Sequence, residues 1–168
     1  ALTQEYVENP IIKQYLDNEK CTIILFENPP YADTTSTEHQ KVKKAKESSA
    51  WKKSYVTKEM KKDVKGTALN DLGNVFIWSA FKFYLRQNTD SYIVYSPIKY
   101  WKAQHLINKR FMGGFAFNRR HFHLNINACV SCIYWSNEDD NINEFNLNAY
   151  DIEIKADNNT KTERIIEC

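Results

Sequence analysis

Long apolar runs are absent from this chain of 168 residues. No stretch approaches the roughly 20 consecutive apolar residues that a membrane-spanning helix needs, so we expect no membrane partner. The first residues, Ala1–Glu5, contain neither the basic part nor the apolar part of a secretory signal. These absences predict a cytoplasmic protein.

Cysteine, glycine and proline are scarce, with four residues of each. So few cysteines exclude a disulfide scaffold, and the chain is long enough for one domain with a real core. Cys129 and Cys132 have the spacing of a metal or redox pair. However, they lie in a predicted strand, where residues three apart point to opposite faces, and the sequence holds no second ligand pair. We therefore expect reduced core thiols and no metal site.

The positive charge is concentrated in one segment of the chain. Ten lysines lie between Lys41 and Lys65 against three acidic residues, so this segment carries +7 and the rest of the chain −5. A basic patch on a near-neutral body favours a polyanion such as nucleic acid as the partner. The alternative is a solvated surface that binds nothing.

The apolar pattern predicts alternating strands and helices. We expect a helix over Tyr6–Leu16, broken or entered at Pro10, and then an apolar run, Cys21–Phe26, typical of a strand buried on both faces. An insertion at about 32–69, too polar for the core, is expected to be a loop with at most one helix. It separates that strand from a buried helix, Leu72–Arg86. Next we predict a strand, Ser91–Ser96, and an amphipathic helix, Lys99–Phe111, followed by a break at Gly113-Gly114. Three further strands are predicted at Phe115–Phe117, Leu124–Trp135 and Glu144–Lys155, the last of them at an edge of the sheet.

A rigid turn, Asn28-Pro29-Pro30-Tyr31, directly follows the first apolar run. Both prolines have a fixed φ and no N–H, so the carbonyls around them are held as acceptors beside the side-chain oxygen of Asn28. A planar NH₂ group could donate one hydrogen bond to each, while the ring of Tyr31 stacks on the flat system that bears it. The turn therefore predicts a site that grips a planar amino group. The alternative is an ordinary surface turn.

This turn resembles the catalytic motif of amino-methyltransferases, which methylate the exocyclic nitrogen of adenine in DNA with S-adenosylmethionine. In the adenine methyltransferases of bacterial restriction–modification systems, the motif is followed by a buried aromatic helix, a strand ending in Ser/Thr-Pro, a helix with a basic end and an aromatic segment. Similar segments follow here in the same order: Asn74–Tyr84, Tyr92–Pro97, Asn108–Phe111 and Gly114–Phe122. The resemblance implies an α/β fold: the C-terminal half of a Rossmann-like class I methyltransferase sheet, mostly parallel with an antiparallel strand, and with helices on its faces.

The cofactor-binding signature of that family is missing from its usual place. It is a glycine-rich turn that precedes the motif, whereas only 27 residues precede Asn28 and Gly113-Gly114 lies downstream. The resemblance therefore implies that residues 1–168 are a partial catalytic domain. The cofactor half and the target-recognition region would lie elsewhere, in cis or in a second subunit; a circularly permuted enzyme is the alternative.

The resemblance also implies roles for individual residues. Asn28 and the Pro29 carbonyl would accept hydrogen bonds from the N6 amino group of a flipped-out adenine, and Tyr31 would stack on one face of the base. Phe122 or Phe117 is the candidate for the other face. The predicted contacts to DNA phosphates are Lys43, Lys44, Lys52, Lys53, Arg119 and Arg120.

Two other functions stay open at this point. The same motif marks enzymes that methylate the glutamine amide of translation release factors, since that amide is also a planar NH₂ group. The other is a non-catalytic fragment that holds DNA or a partner, which the missing glycine signature favours. The lysine-rich insertion favours DNA as the substrate, and the intact motif favours catalysis.

Overall fold

The computed structural model describes residues 2–30, 50–97, 108–118, 129–141, 144–157 and 160–167. Its strands are, in chain order, Ile24–Glu27, Ser91–Pro97, Lys109–Asn118, Cys129–Asp139, Asn148–Asp157 and Thr160–Glu167, named β1 to β6. They form one sheet in the order β1-β2-β4-β3-β5-β6. β1, β2, β3 and β5 run in one direction, while β4 and β6 are antiparallel to their neighbours. The predicted α/β class with a mixed sheet is confirmed. The sheet is not mostly parallel as expected, because it has two antiparallel strands instead of one, and three of its five described strand pairs are antiparallel.

Helices flank this sheet. In the described residues the α-helices are Gln4–Val7, Pro10–Leu16, Tyr55–Asp63 and Leu72–Ser79, named α1 to α4, and α4 continues as a π-helical segment, Ala80–Tyr84. The predicted helix entry at Pro10 is confirmed. The side-chain oxygen of Asn9 caps α2, 2.9 Å from the amide nitrogen of Ile11, and Pro10 takes the first helical position, where a missing N–H leaves no bond unmade. No described helix is long and apolar enough to cross a membrane.

One face of the sheet carries the main core. Tyr92 and Val94 of β2 are fully buried there, as are Ile133 and Trp135 of β4. Ile77 of α4 packs against this cluster, so the predicted buried helix covers the centre of the sheet as expected.

The insertion contributes to the core, which corrects the prediction that it is too polar to do so. α3 buries Val56 and Met60 completely, and both pack with Val75 and Trp78 of α4. These two α3 residues are four apart and so share one side of the helix, while all three lysines of α3 are exposed. The high average polarity of the segment concealed an amphipathic helix.

The first strand is exposed on one face, whereas the sequence predicted a strand buried on both. β1 is shorter than the predicted run and lies at an edge of the sheet. Leu25 packs on the main core, but Ile24 and Phe26 are 67% and 61% exposed. An apolar run predicts a strand. It does not predict whether both faces of the strand are buried, because the residues that would cover them come from other parts of the chain.

The helix predicted over Lys99–Phe111 is wrong at its end, because residues 109–111 begin β3. Residues 98–107 lie outside the described ranges. Gly113-Gly114 lies within β3, so the predicted break there is also wrong. A Cβ atom on Gly114 would lie 2.5 Å from the carbonyl oxygen of Cys132 in β4. Glycine is needed there because the two strands approach each other closely.

The other predicted strands are present with shifted bounds. β2 matches the prediction, ending one residue later at Pro97. β4 overlaps the prediction for Leu124–Trp135, of which residues 124–128 lie outside the description. β5 overlaps the predicted edge strand Glu144–Lys155 but is not at the edge, because β6 pairs along its outer side.

Candidate functional site

The Asn-Pro-Pro turn begins where β1 ends. Glu27 is the last residue of β1; Asn28, Pro29 and Pro30 follow it, with Pro29 buried and the other two exposed. β1 pairs in parallel with β2, so the carboxyl ends of both strands lie at the same edge of the sheet. Ligands of open α/β sheets bind at this edge. A substrate could therefore reach the turn; Tyr31 lies outside the described residues.

Asp90 fixes the opposite end of the same two strands. Its buried carboxylate accepts a hydrogen bond of 2.8 Å from the backbone N–H of Ile23, just before β1. The backbone N–H groups of Arg86 and Gln87 donate to its second oxygen at 2.8 and 2.9 Å. This anchor ties the start of β1 to that of β2, and so helps to set where the Asn-Pro-Pro turn leaves the sheet.

A row of aromatic rings crosses the exposed face of the sheet beside the turn. Phe26 of β1 meets Tyr95 of β2 edge to face, with ring centroids 5.8 Å apart, and Tyr95 contacts Phe117 of β3 at 6.4 Å. Phe117 is only 7% exposed and also packs on Phe115. As placed, it offers little free ring face to a base. The other stacking candidate, Phe122, lies outside the described residues.

Glu27 lies on the opposite, helix-covered face of β1, where it meets a buried tyrosine. The hydroxyl of Tyr92 donates a hydrogen bond of 2.7 Å to Oε2 of Glu27. Burial raises the pKa of Glu27, and the bond from Tyr92 opposes part of that rise. Burial also raises the pKa of Tyr92 well above its ordinary value. Glu27 was not predicted as a site residue, although a single acidic residue at the end of an apolar run can be recognised in the sequence.

A cavity of about 240 Å³ lies between the helices and β1. Its walls are mostly apolar and include Ile12 of α2, Leu25 of β1 and Phe76 of α4. Its polar lining residues include Glu27, Ser79 and Tyr84, and burial raises the pKa of Tyr84 to about 12. No pattern in the sequence predicts this cavity, because its walls come from segments far apart in the chain.

The predicted phosphate contacts are described only in part. Lys52 and Lys53 lie in the 3-10 turn that precedes α3. Lys53 is exposed, and Nζ of Lys52 lies 5.5 Å from the ring centroid of Trp51. The turn and α3 together contain five lysines against two acidic residues, Glu59 and Asp63, and Lys62 forms an ion pair with Glu59. The other predicted contacts lie outside the described residues: Lys43, Lys44, Arg119 and Arg120.

The cysteine pair of β4 does not resemble a metal or redox site. Cys129 and Cys132 are three apart on one strand and so point to opposite faces of the sheet. Burial raises the pKa of the Cys132 thiol, which favours its protonated form. Neither cysteine forms a disulfide, and the described ranges contain no group of three His, Cys, Asp or Glu side chains that could hold a metal ion.

Comparison with known proteins assigns no family to this chain. No family model, curated protein or solved structure matches it significantly. Its function is therefore inferred from its own residues and their placement.

Proposed function

We propose that this chain is the catalytic half of a bacterial restriction–modification enzyme that transfers a methyl group from S-adenosylmethionine to the N6 amino group of adenine in double-stranded DNA. The position of Asn28-Pro29-Pro30 carries the proposal: it leaves the carboxyl end of β1 beside the parallel strand β2. There it presents fixed acceptors at the edge where α/β sheets bind ligands. The bacterial cytoplasm is the location that this function implies.

In this proposal the turn orients the amino nitrogen that is to be methylated. Oδ1 of Asn28 and the carbonyl oxygen of Pro29 each accept one hydrogen from N6 of an adenine that has been flipped out of the duplex. Two acceptors bias the nitrogen towards tetrahedral geometry, so its lone pair turns away from the ring and becomes more nucleophilic. Pro30 keeps the turn rigid and Tyr31 stacks on the base. The rate enhancement then comes from positioning and electrostatics.

The described residues fit a site for the amino group that receives the methyl group. They do not fit a binding site for the methyl donor. S-adenosylmethionine would supply an electrophilic methyl group, held in its family by a glycine-rich turn at the end of a strand. The only adjacent glycines of this chain, Gly113-Gly114, lie inside β3. We therefore assign the cofactor pocket to a second half of the enzyme, in the same polypeptide or in another subunit.

The edge strand supports the existence of such a second half. Ile24 and Phe26 expose apolar side chains on β1, and β1 is the last strand on its side of the described sheet. An unpaired edge can accept a further strand, and contiguous exposed apolar surface on a soluble domain marks an interaction site.

The charge pattern supports DNA as the substrate over a protein amide. The segment Ala50–Asp63 has five lysines against two acidic residues, and lysines bind phosphates through release of counterions. A glutamine amide is a small neutral group and needs no such lysines.

The substitution Asn28→Ala in the full-length protein tests the proposal. We expect methyl transfer to DNA to fall by about 10²-fold or more, because the nitrogen loses one of its two fixed acceptors. DNA affinity should stay unchanged, since it comes from the lysines. Transfer of a labelled methyl group and fluorescence anisotropy of labelled duplex DNA measure the two quantities.

Asn88→Ala is the matched control. Asn88 is an exposed asparagine in a turn, and its backbone carbonyl, rather than its side chain, accepts a hydrogen bond from Ser136. It should leave both quantities unchanged. Full activity of Asn28→Ala would contradict the proposal. A wild-type protein that binds DNA and S-adenosylmethionine without transferring methyl would instead be a non-catalytic scaffold.

A further inference from the structure

The cavity beside β1 is large enough for a small organic molecule. An apolar cavity of about 150 Å³ is sufficient to bind benzene, whereas this one measures about 240 Å³. Tyr6 and Tyr15 contribute to its wall together with the apolar residues of α2, β1 and α4. Both tyrosines belong to the N-terminal helices and are about half exposed, so they lie where the cavity meets solvent. A ring or a short alkyl chain would be enclosed by apolar and aromatic surface.

Two polar groups of the cavity wall have unused capacity for hydrogen bonding. The hydroxyl oxygen of Tyr84 is buried and has no hydrogen-bond partner among the described residues. Glu27 uses Oε2 to accept the bond from Tyr92, while its Oε1 accepts none from the part of the chain that the structure describes. Buried polar groups are normally paired, so the unpaired hydroxyl of Tyr84 calls for an explanation. The third polar residue of the wall, Ser79, is satisfied because its hydroxyl donates to the carbonyl of Phe76 at 2.8 Å.

The missing partner should be a hydrogen-bond donor with positive charge. A carboxylate oxygen is a strong acceptor, and the oxygen of a tyrosine hydroxyl can also accept. Glu27 and Tyr84 line the same cavity, where burial, and after it the charges of Tyr6 and Glu27, raise the pKa of Tyr84. An ammonium group has three donors and could serve both oxygens at once. Aromatic rings in the wall would add favourable contact with a cation.

We infer that this cavity binds a small primary amine with an apolar body, such as an arylalkylamine, with its ammonium group on Glu27 and Tyr84. The apolar body would fill the space between Ile12, Leu25 and Phe76. This site is separate from the Asn-Pro-Pro turn, because the cavity opens on the helix-covered face of β1 and Asn28 does not line it.

The test is a calorimetric titration of the full chain with 2-phenylethylamine, without DNA or S-adenosylmethionine. Ethylbenzene, which has the same apolar body without the amine, is titrated in parallel. We expect saturable binding of one amine molecule per chain and binding of ethylbenzene that is weaker by about tenfold or more, the loss expected for a charge-assisted hydrogen bond.

Two variants test the assigned residues. Glu27→Gln keeps the shape of the side chain and an acceptor for Tyr92 but removes the charge, so amine binding should weaken by about tenfold or more. Tyr84→Phe removes one acceptor and should weaken it by about threefold or more. Asn28→Ala is the control and should bind the amine like wild type. Circular dichroism spectra equal to that of wild type establish that each variant is folded.

Three results would overturn the inference: no saturable binding of the amine, equal affinity for ethylbenzene, or an unchanged affinity in Glu27→Gln. Equal affinity for ethylbenzene would identify an apolar cavity without a role for the charged group. None of these results bears on methyl transfer, since Asn28 lies outside the cavity.

Discussion

The two faces of the sheet are both apolar, but the described residues bury them to different extents. On the helix-covered face, Tyr92 and Trp135 are completely buried. On the other face, Ile24 and Phe26 of the edge strand β1 are mostly exposed, whereas Val130 of β4 and Phe117 of β3 are buried. The apolar composition of the two faces is similar, but their packing differs along β1. The main core lies on the helix-covered face, the other face is open along β1, and the Asn-Pro-Pro turn follows directly from β1.

Substitution of one isoleucine to alanine on each face gives the largest expected contrast. Ile133→Ala on the covered face should lower the free energy of unfolding by ~2–5 kcal/mol, because it opens a cavity in a fully buried cluster. Ile24→Ala on the exposed face should change it by less than ~1 kcal/mol, since that side chain is already in water. Urea unfolding of the two variants measures both values. Similar losses in the two would show that the open face is also packed in solution.

The close approach of β3 and β4 gives an intermediate effect. A methyl group at position 114 would meet the carbonyl oxygen of Cys132 at 2.5 Å, so Gly114→Ala must shift one strand. We expect a loss of ~1–3 kcal/mol in the free energy of unfolding, the usual cost of overpacking. Met112→Ala is the control on the same strand, because Met112 is exposed and should change little. A Gly114→Ala variant as stable as wild type would exclude this contact.

The smallest effect concerns the charge of Glu27 on the covered face. Burial raises the pKa of Glu27 in the folded state above that in the unfolded chain. Folded protein then binds more protons than unfolded protein, so this residue makes stability fall as the pH rises from the unfolded pKa through the folded one. Glu27→Gln cannot ionise and should escape this fall. Its stability relative to wild type should therefore increase with pH across that window and then level off.

Urea unfolding at a series of pH values measures this difference. Glu5→Gln is the control, since Glu5 is an exposed residue of α1 and its substitution reports the removal of a surface carboxylate. A Glu27→Gln variant that loses stability relative to wild type as the pH rises would contradict the assigned environment of Glu27.

Local patterns predicted much of the fold. Pro10 identified the start of α2, and the continuous apolar run from Leu72 identified the helix that covers the sheet. In both cases the signal lies in neighbouring residues, because caps and helix periodicity are local properties. The apolar run at Ser91–Ser96 likewise identified β2.

The errors arose where the structure depends on distant segments. The Gly113-Gly114 pair was interpreted as a break, but it serves a close approach to β4 that only the paired strand reveals. α3 was judged by its average polarity, whereas the positions of Val56 and Met60 place them on its buried side. The Glu27–Tyr92 contact joins residues 65 apart, so no local pattern could predict it.

Identification of the methylated product tests the central claim most directly. The full-length protein is incubated with duplex DNA and S-adenosylmethionine that carries a labelled methyl group, and the DNA is digested to nucleosides and separated. The account predicts label in N6-methyladenine, and its disappearance in the Asn28→Ala variant but not in Asn88→Ala. Label on a protein glutamine with none on DNA would contradict it, as would label in N6-methyladenine that persists without Asn28.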